Sequence, residues 1–291
     1  MTRPVYAIPP SFKNDELHLD STLKYLKYLE KEGASRVLTT AGTSQFNLLS
    51  LDEIYKLNKC IINNFKQEKI LGLPPLSIKH LSQEISKFNN LNSSNTKLLI
   101  LFPERYYSDE QVVSFFEQVC SLSQYPIYLH GNPLKKGKGG EYEYSNNLLK
   151  TLSKIPGFMG IKEEYSSLDL SIKNIQSLNL DIIVAGGSMR RFWTLNPFGG
   201  TSFLTGVGNF NPKYSEDFYK YFLNKEYSKC LNIIKNVETP LFNSFMKIGW
   251  HASMRESLKE MGFILENRDP FIILSEEDKN KIIISLKKVI L

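Results

Sequence analysis

With 291 residues, 42% hydrophobic and 23% charged, the chain has the composition of a globular protein able to bury one large core. Its formal charge of +6 comes from 36 basic against 30 acidic residues. They are dispersed apart from the short cluster Lys135, Lys136 and Lys138, which excludes a nucleic-acid or membrane-binding face. Cys60, Cys120 and Cys230 are too few and too far apart for a disulfide framework or a thiolate metal site. There is no signal-peptide core after Met1 and no bilayer-length apolar run, so a cytoplasmic location is expected.

Short apolar runs alternate with amphipathic stretches along the chain. Residues 5–8 are predicted as a strand closed by Pro9 and Pro10, followed by a helix over 21–32 capped by Asp20 and ended by Gly33. A strand at 36–42 comes next, and Ser50 with Glu53 makes a capping box for a helix through 65. Strands at 69–73, 97–102 and 126–130 alternate with helices at 77–88 and 108–122, the latter with Asp109 and Glu110 in its first turn. A Gly/Lys-rich loop over 131–140 leads to a helix at 146–155. A strand over 158–162, a helix over 169–178, a strand over 181–185, a short helix over 189–195 and a strand over 202–206 complete the series. The alternation supplies the eight strands that a closed parallel barrel requires. The expected fold is therefore an α/β protein, a (β/α)8 TIM barrel over 1–212. A C-terminal helical extension over 213–291, with helices at 215–223, 227–237, 240–261 and 276–289, packs on it.

Active groups of such a barrel lie at the carboxyl ends of its strands, so those ends are the places to look for chemistry. Strand six ends in Lys162 after Phe158, Met159 and Ile161; burial there lowers an amine's pKa toward the range where it acts as a nucleophile. Strand two ends in Thr39-Thr40-Ala41-Gly42-Thr43-Ser44, small hydroxyl residues around a glycine that suit a carboxylate. Strand five ends in His130-Gly131-Asn132-Pro133, strand seven in Gly186-Gly187 and strand eight in Gly206-Val207-Gly208-Asn209.

These motifs, in this order, resemble the class I pyruvate-dependent aldolase superfamily that contains dihydrodipicolinate synthase and N-acetylneuraminate lyase. The family's Gly-Thr-Thr-Gly-Glu-Ser corresponds to residues 39–44, its Tyr-Asn-x-Pro to His130–Pro133, and its Schiff-base strand to Gly160-Ile161-Lys162. The stretch 199–212, which contains Leu204, resembles its glycine-rich eighth-strand segment. The resemblance implies a lysine imine as electron sink, with Lys162 as nucleophile and His130 in the place of the acid–base tyrosine. It assigns Thr39, Thr40, Thr43, Ser44, Lys135, Gly186 and Leu204 to substrate, and Tyr106 or Tyr107 to a neighbouring subunit's site. It implies no cofactor, a small-molecule 2-oxo acid substrate and a homodimer or homotetramer; no metal is expected, because His18, His80, His130 and His251 occur in unrelated contexts with no i, i+4 pairing.

The departures are specific. The family's second strand-two threonine is replaced by Ala41, which cannot pass a proton, and the arginine after the strand-five proline by Lys135, which keeps the charge and loses the bidentate fork. They argue against lysine biosynthesis. The leading expectation is a Schiff-base-forming lyase or aldolase acting on pyruvate or another 2-oxo acid; the alternatives are a dehydratase of a 3-deoxy-2-oxo sugar acid and a non-catalytic paralogue that binds a 2-oxo acid or a sugar acid. His251 beside Trp250 is read as packing.

Overall fold

The structure, a computed structural model, describes residues 3–103, 105–268 and 273–290. Eight parallel strands form one sheet in chain order. They are β1 (Tyr6–Ile8), β2 (Arg36–Thr39), β3 (Glu68–Leu73), β4 (Thr96–Ile100), β5 (Ile127–Gly131), β6 (Phe158–Glu163), β7 (Asp181–Val184) and β8 (Ser202–Phe203). The ring closes where the Val5 N–H donates to the Phe203 carbonyl and the Thr205 N–H to the Val5 carbonyl, each at 2.9 Å. The expected (β/α)8 barrel is thus the observed fold. Every residue of β2 and of β5 is buried, as parallel strands covered on both faces must be.

Helices α1 (Leu19–Lys31), α2 (Leu51–Asn64), α3 (Ile78–Asn89), α4 (Asp109–Leu122), α5 (Asn146–Leu152), α6 (Leu168–Ile175), α7 (Ser188–Leu195) and α8 (Pro212–Leu223) follow the successive strands. The Ser50/Glu53 capping box closes in both directions. At α1 the cap is His18, whose ring accepts from the Ser21 N–H, and the predicted cap Asp20 lies inside the first turn. The loop predicted over 131–140 instead holds an antiparallel hairpin, Leu134–Lys136 against Gly140–Tyr142.

The sequence boundary at 212/213 falls at the start of α8, whose Phe218 ring lies 5.6 Å from that of Phe203 on β8. Beyond it, α9 (Tyr227–Ile233) passes through a π-helical turn, Ile234–Glu238, into α10 (Thr239–Ile248), followed by α11 (Trp250–Glu260) and α12 (Glu276–Ile290). The single helix predicted over 240–261 is broken at Gly249, where φ is +122°, a conformation that side chains with a Cβ rarely adopt. The break carries Trp250 and His251 to the open end of the barrel.

The opposite end is plugged by a buried polar network. Arg36 at the start of β2 pairs with Glu68 and Asp181 and donates to the Ser202 hydroxyl at 2.9 Å. Asp181 also accepts from the Tyr128 hydroxyl at 2.6 Å. Each charge is matched, which is the condition under which ions can be held in a core, and the network leaves the chemistry to the other rim. Among the described residues, no helix is long and apolar enough to cross a membrane.

Candidate active site

β6 is built to present one side chain. Its pairing with β5 shifts register between Phe158 and Gly160, leaving Met159 40% exposed, the signature of a bulge. Gly160 is required by close approach: a Cβ there would stand 2.2 Å from the Asp181 carbonyl and 2.6 Å from the Tyr128 ring. From this point side chains alternate between the two faces of the sheet. Lys162 points into the barrel. Glu163 points outward to Arg191 of α7, at 2.6 Å, and to the Ser171 hydroxyl of α6, at 2.7 Å. Glu164 returns to the inner side.

Lys162 and His130 are register partners on β6 and β5, and their side chains meet with Nζ 2.9 Å from Nε2. Both are sealed, at 0% and 1% exposure. Glu164 touches both partners: one carboxylate oxygen contacts Lys162 Nζ, and the other lies 2.8 Å from His130 Nε2. Burial lowers the Lys162 pKa more than Glu164 and Glu163 raise it. Burial, and then the Lys162 charge, lower that of His130 against the pull of Glu164. For Glu164, burial pushes the carboxyl up, but Lys162 and His130 outweigh it and hold the group well below the usual carboxylate range.

Above this trio opens a cavity of about 340 Å³, a size suited to small metabolites. Glu164, Thr43, Gly186 and Leu204 line its inner part. The C-terminal helices supply the outer wall through Phe242, Met246, Trp250 and His251. Phe242 and Trp250 stack with ring centroids 5.0 Å apart and planes 11° from parallel. Met246 is 60% exposed. His251, read from sequence as packing, is a cavity residue, because the turn at Gly249 faces it to the rim.

The other sequence-predicted residues lie elsewhere. The Thr40 hydroxyl donates to the Gly72 carbonyl at 2.7 Å and accepts from Asn58 Nδ2 of α2 at 2.9 Å. The Thr39 hydroxyl also meets Asn58, and the Ser44 hydroxyl donates to the Leu38 carbonyl at 2.8 Å. These three hydroxyls hold the turn together instead of facing the cavity. Thr40 does so at φ +47°, unusual for a β-branched residue. Lys135 is exposed on its hairpin and does not line the cavity. Tyr107 is 71% exposed, and Tyr106 stacks on Tyr142 with centroids 3.6 Å apart. Asn209 works inside the fold, accepting from the Ala7 N–H at 3.1 Å.

Glu164 is the residue that sequence reasoning passed over, as a charged flank of the strand. Its spacing from Lys162 was the available signal, since residues two apart on a strand share a face. Among the described residues, no group of three or more His, Cys, Asp or Glu side chains is arranged to hold a metal ion.

The chain is similar to known proteins over nearly its whole length. A family model described as the dihydrodipicolinate synthetase family matches residues 5–289. The 4-hydroxy-tetrahydrodipicolinate synthase of Brachyspira hyodysenteriae is 20% identical, covering 96% of this chain and 94% of its own length. That of Thermotoga neapolitana is 22% identical, with coverages of 93% and 92%. Among solved structures, dihydrodipicolinate synthase from Thermotoga maritima superposes with a TM-score of 0.85 at 20% identity, covering 99% of both chains. The Acinetobacter baumannii enzyme complexed with pyruvate gives 0.84 at 20% identity, covering 99% of this chain and 98% of its own.

Proposed function

The chain belongs to the dihydrodipicolinate synthetase family, and from that premise we propose that it is a Schiff-base lyase or aldolase that makes or breaks a carbon–carbon bond beside the imine of pyruvate or a related 2-oxo acid. The observation that carries this reading is the buried Lys162 amine held 2.9 Å from an imidazole, with Glu164, which touches both, lining the cavity above. Burial favours the neutral amine, and the neutral amine is the nucleophile. Addition to the 2-oxo carbon and loss of water give an iminium that draws electrons from the adjacent bond.

His130 is the acid–base group. In the cleavage direction its unprotonated ring nitrogen takes the proton of the hydroxyl next to the breaking bond, and it returns that proton to the enamine carbon. The substrate carboxylate is held at the turn after β2. A Cβ on Gly42 would lie 3.8 Å from His130 Cε1, which puts the turn's backbone beside the imidazole, and Thr43 lines the cavity. With the Thr39, Thr40 and Ser44 hydroxyls engaged elsewhere, backbone N–H groups and the Thr43 hydroxyl do this work. The second reactant lies against Phe242 and Trp250.

The reaction needs no cofactor beyond the lysine. We read the protein as a cytoplasmic homodimer or homotetramer, with the exposed Tyr107 beside the 134–142 hairpin as part of the contact surface; a sedimentation profile of a monomer alone rules this out. The activity is tested by following pyruvate release from a panel of 4-hydroxy-2-oxo acids. Release by the wild type and none by Lys162→Ala is the expected result. Imine formation without turnover on any of the panel favours a binding paralogue, a reading motivated by Ala41.

A further inference from the structure

Nζ of Lys162, Nε2 of His130 and the two oxygens of Glu164 form a closed triangle of contacts. Hydrogen bookkeeping makes that triangle informative. A neutral imidazole nitrogen is either a donor or an acceptor, never both. When Lys162 is an ammonium it donates to Nε2 and to one Glu164 oxygen, and no hydrogen lies between Nε2 and the other oxygen. When Nε2 carries the hydrogen it donates to Glu164, and Lys162 is a neutral amine. The two arrangements differ by one proton moved over 2.9 Å, and in both the positive charge touches the same carboxylate.

We propose that Glu164 is a catalytic residue: a shared counter-ion that lets a proton pass between Lys162 and His130 without separating charge, and a mobile cover over the amine. The inference rests on the Schiff-base reading of the site. In the resting state an Nζ–H bond breaks and an Nε2–H bond forms, leaving a neutral amine and an imidazolium paired with Glu164. The amine lone pair adds to the 2-oxo carbon, and one of the two amine hydrogens passes to the former carbonyl oxygen to give a neutral carbinolamine. The carbinolamine hydroxyl then leaves as water with the proton returned from Nε2, and the iminium faces the carboxylate. During bond cleavage His130 becomes an imidazolium again and is stabilised by the same group.

Burial supports the second half of the proposal. Lys162 has no exposed surface, whereas the Glu164 side chain is 25% exposed and lines the cavity. A substrate therefore reaches Nζ by displacing the oxygen that touches it, while the other oxygen keeps its hold on His130. Ala41, which removes a hydroxyl from the turn, leaves this triangle as the proton path at the site.

The test is Glu164→Gln, with Glu164→Asp as the conservative variant. The groups facing Glu164 are Lys162, His130 and, at the rim, His251; Glu163, behind the strand, also acts on Lys162. Removing the carboxylate lowers the pKa of both Lys162 and His130, so the amine stays neutral and the imidazolium is lost. The expected result is borohydride labelling of Lys162 with pyruvate that is slower but reaches the wild-type end point, turnover lower by about 10²-fold or more, an acid limb of the rate profile displaced to lower pH, and partial recovery in Glu164→Asp. Wild-type turnover and pH profile in Glu164→Gln overturn the proposal, as does loss of labelling in a variant that keeps the wild-type circular dichroism and melting temperature. Failure of the wild type to label is a different outcome, and it overturns the Schiff-base reading itself.

Discussion

Lys162 and His130 face each other across adjacent parallel strands in direct register, with Nζ 2.9 Å from Nε2 and both side chains cut off from solvent. Backbone pairing fixes this relationship, so replacing either side chain leaves the scaffold that presents the other. His130→Asn should slow pyruvate labelling of Lys162 without abolishing it, while carbon–carbon turnover falls by about 10²- to 10⁴-fold. In the wild type, burial and Lys162 lower the His130 pKa, so the neutral, base-competent ring persists to more acid pH than a free histidine allows. Activity should therefore hold through neutrality and fail on the acid side. Rate profiles of the two proteins check both statements.

Trp250 reaches the cavity because the chain turns at Gly249, and it stacks on Phe242 at 5.0 Å. Trp250→Ala should raise KM for the second reactant about tenfold or more and leave the rate of imine formation with pyruvate within about twofold, since Trp250 takes no part in the contacts among Lys162, His130 and Glu164. Separate measurement of pyruvate labelling and of aldol turnover distinguishes the two effects. Equal loss in both would place Trp250 in the scaffold alone.

Asn58 carries the strain of the β2 turn, bonding the hydroxyls of both Thr39 and Thr40. Asn58→Ala leaves buried hydroxyls short of partners, at a cost of about 1–3 kcal/mol. The urea midpoint should fall accordingly with an unchanged slope. Because that turn lies beside His130, KM for the 2-oxo acid should rise as well.

Glu238, in the π-helical turn, accepts from the Met189 and Arg190 N–H groups at 2.8 and 2.9 Å. Burial nevertheless pushes its carboxyl from the usual 4.5 up to about 7. Between those values the folded chain binds more protons than the unfolded one. Stability contributed by this group is therefore fully present below the lower value, declines as pH rises through the interval and levels off above the upper. Glu238→Gln should flatten the fall in melting temperature between about pH 5 and 7; a slope identical to that of the wild type would show that another group titrates there.

Much of the architecture could be read before any coordinates. Buried parallel strands are continuous apolar runs with punctuated ends, and all eight appear in the sequence at nearly their observed positions. Lys162 and His130 were visible for the same reason, as polar groups closing such runs. What stayed hidden depends on direction. The hydroxyls of Thr39, Thr40 and Ser44 look like ligands in a string of letters, but the positive φ at Thr40 turns them to the backbone and to Asn58. Glu164 was lost among the charges after the strand, although its distance of two residues from Lys162 marks a shared face. The break at Gly249 is a local backbone choice inside an otherwise helical pattern, and with it went the cavity role of Trp250 and His251. Lys135 was placed at the site by motif position, and the hairpin that carries it holds it exposed.

Catalysis at this site stands on one covalent bond, and peptide mapping after reduction measures it. Protein incubated with pyruvate and borohydride should gain a single reduced pyruvyl group on the peptide containing Lys162, and Lys162→Ala should gain none. A label of equal yield in the Lys162→Ala protein, or a wild-type label on any other lysine, would contradict it.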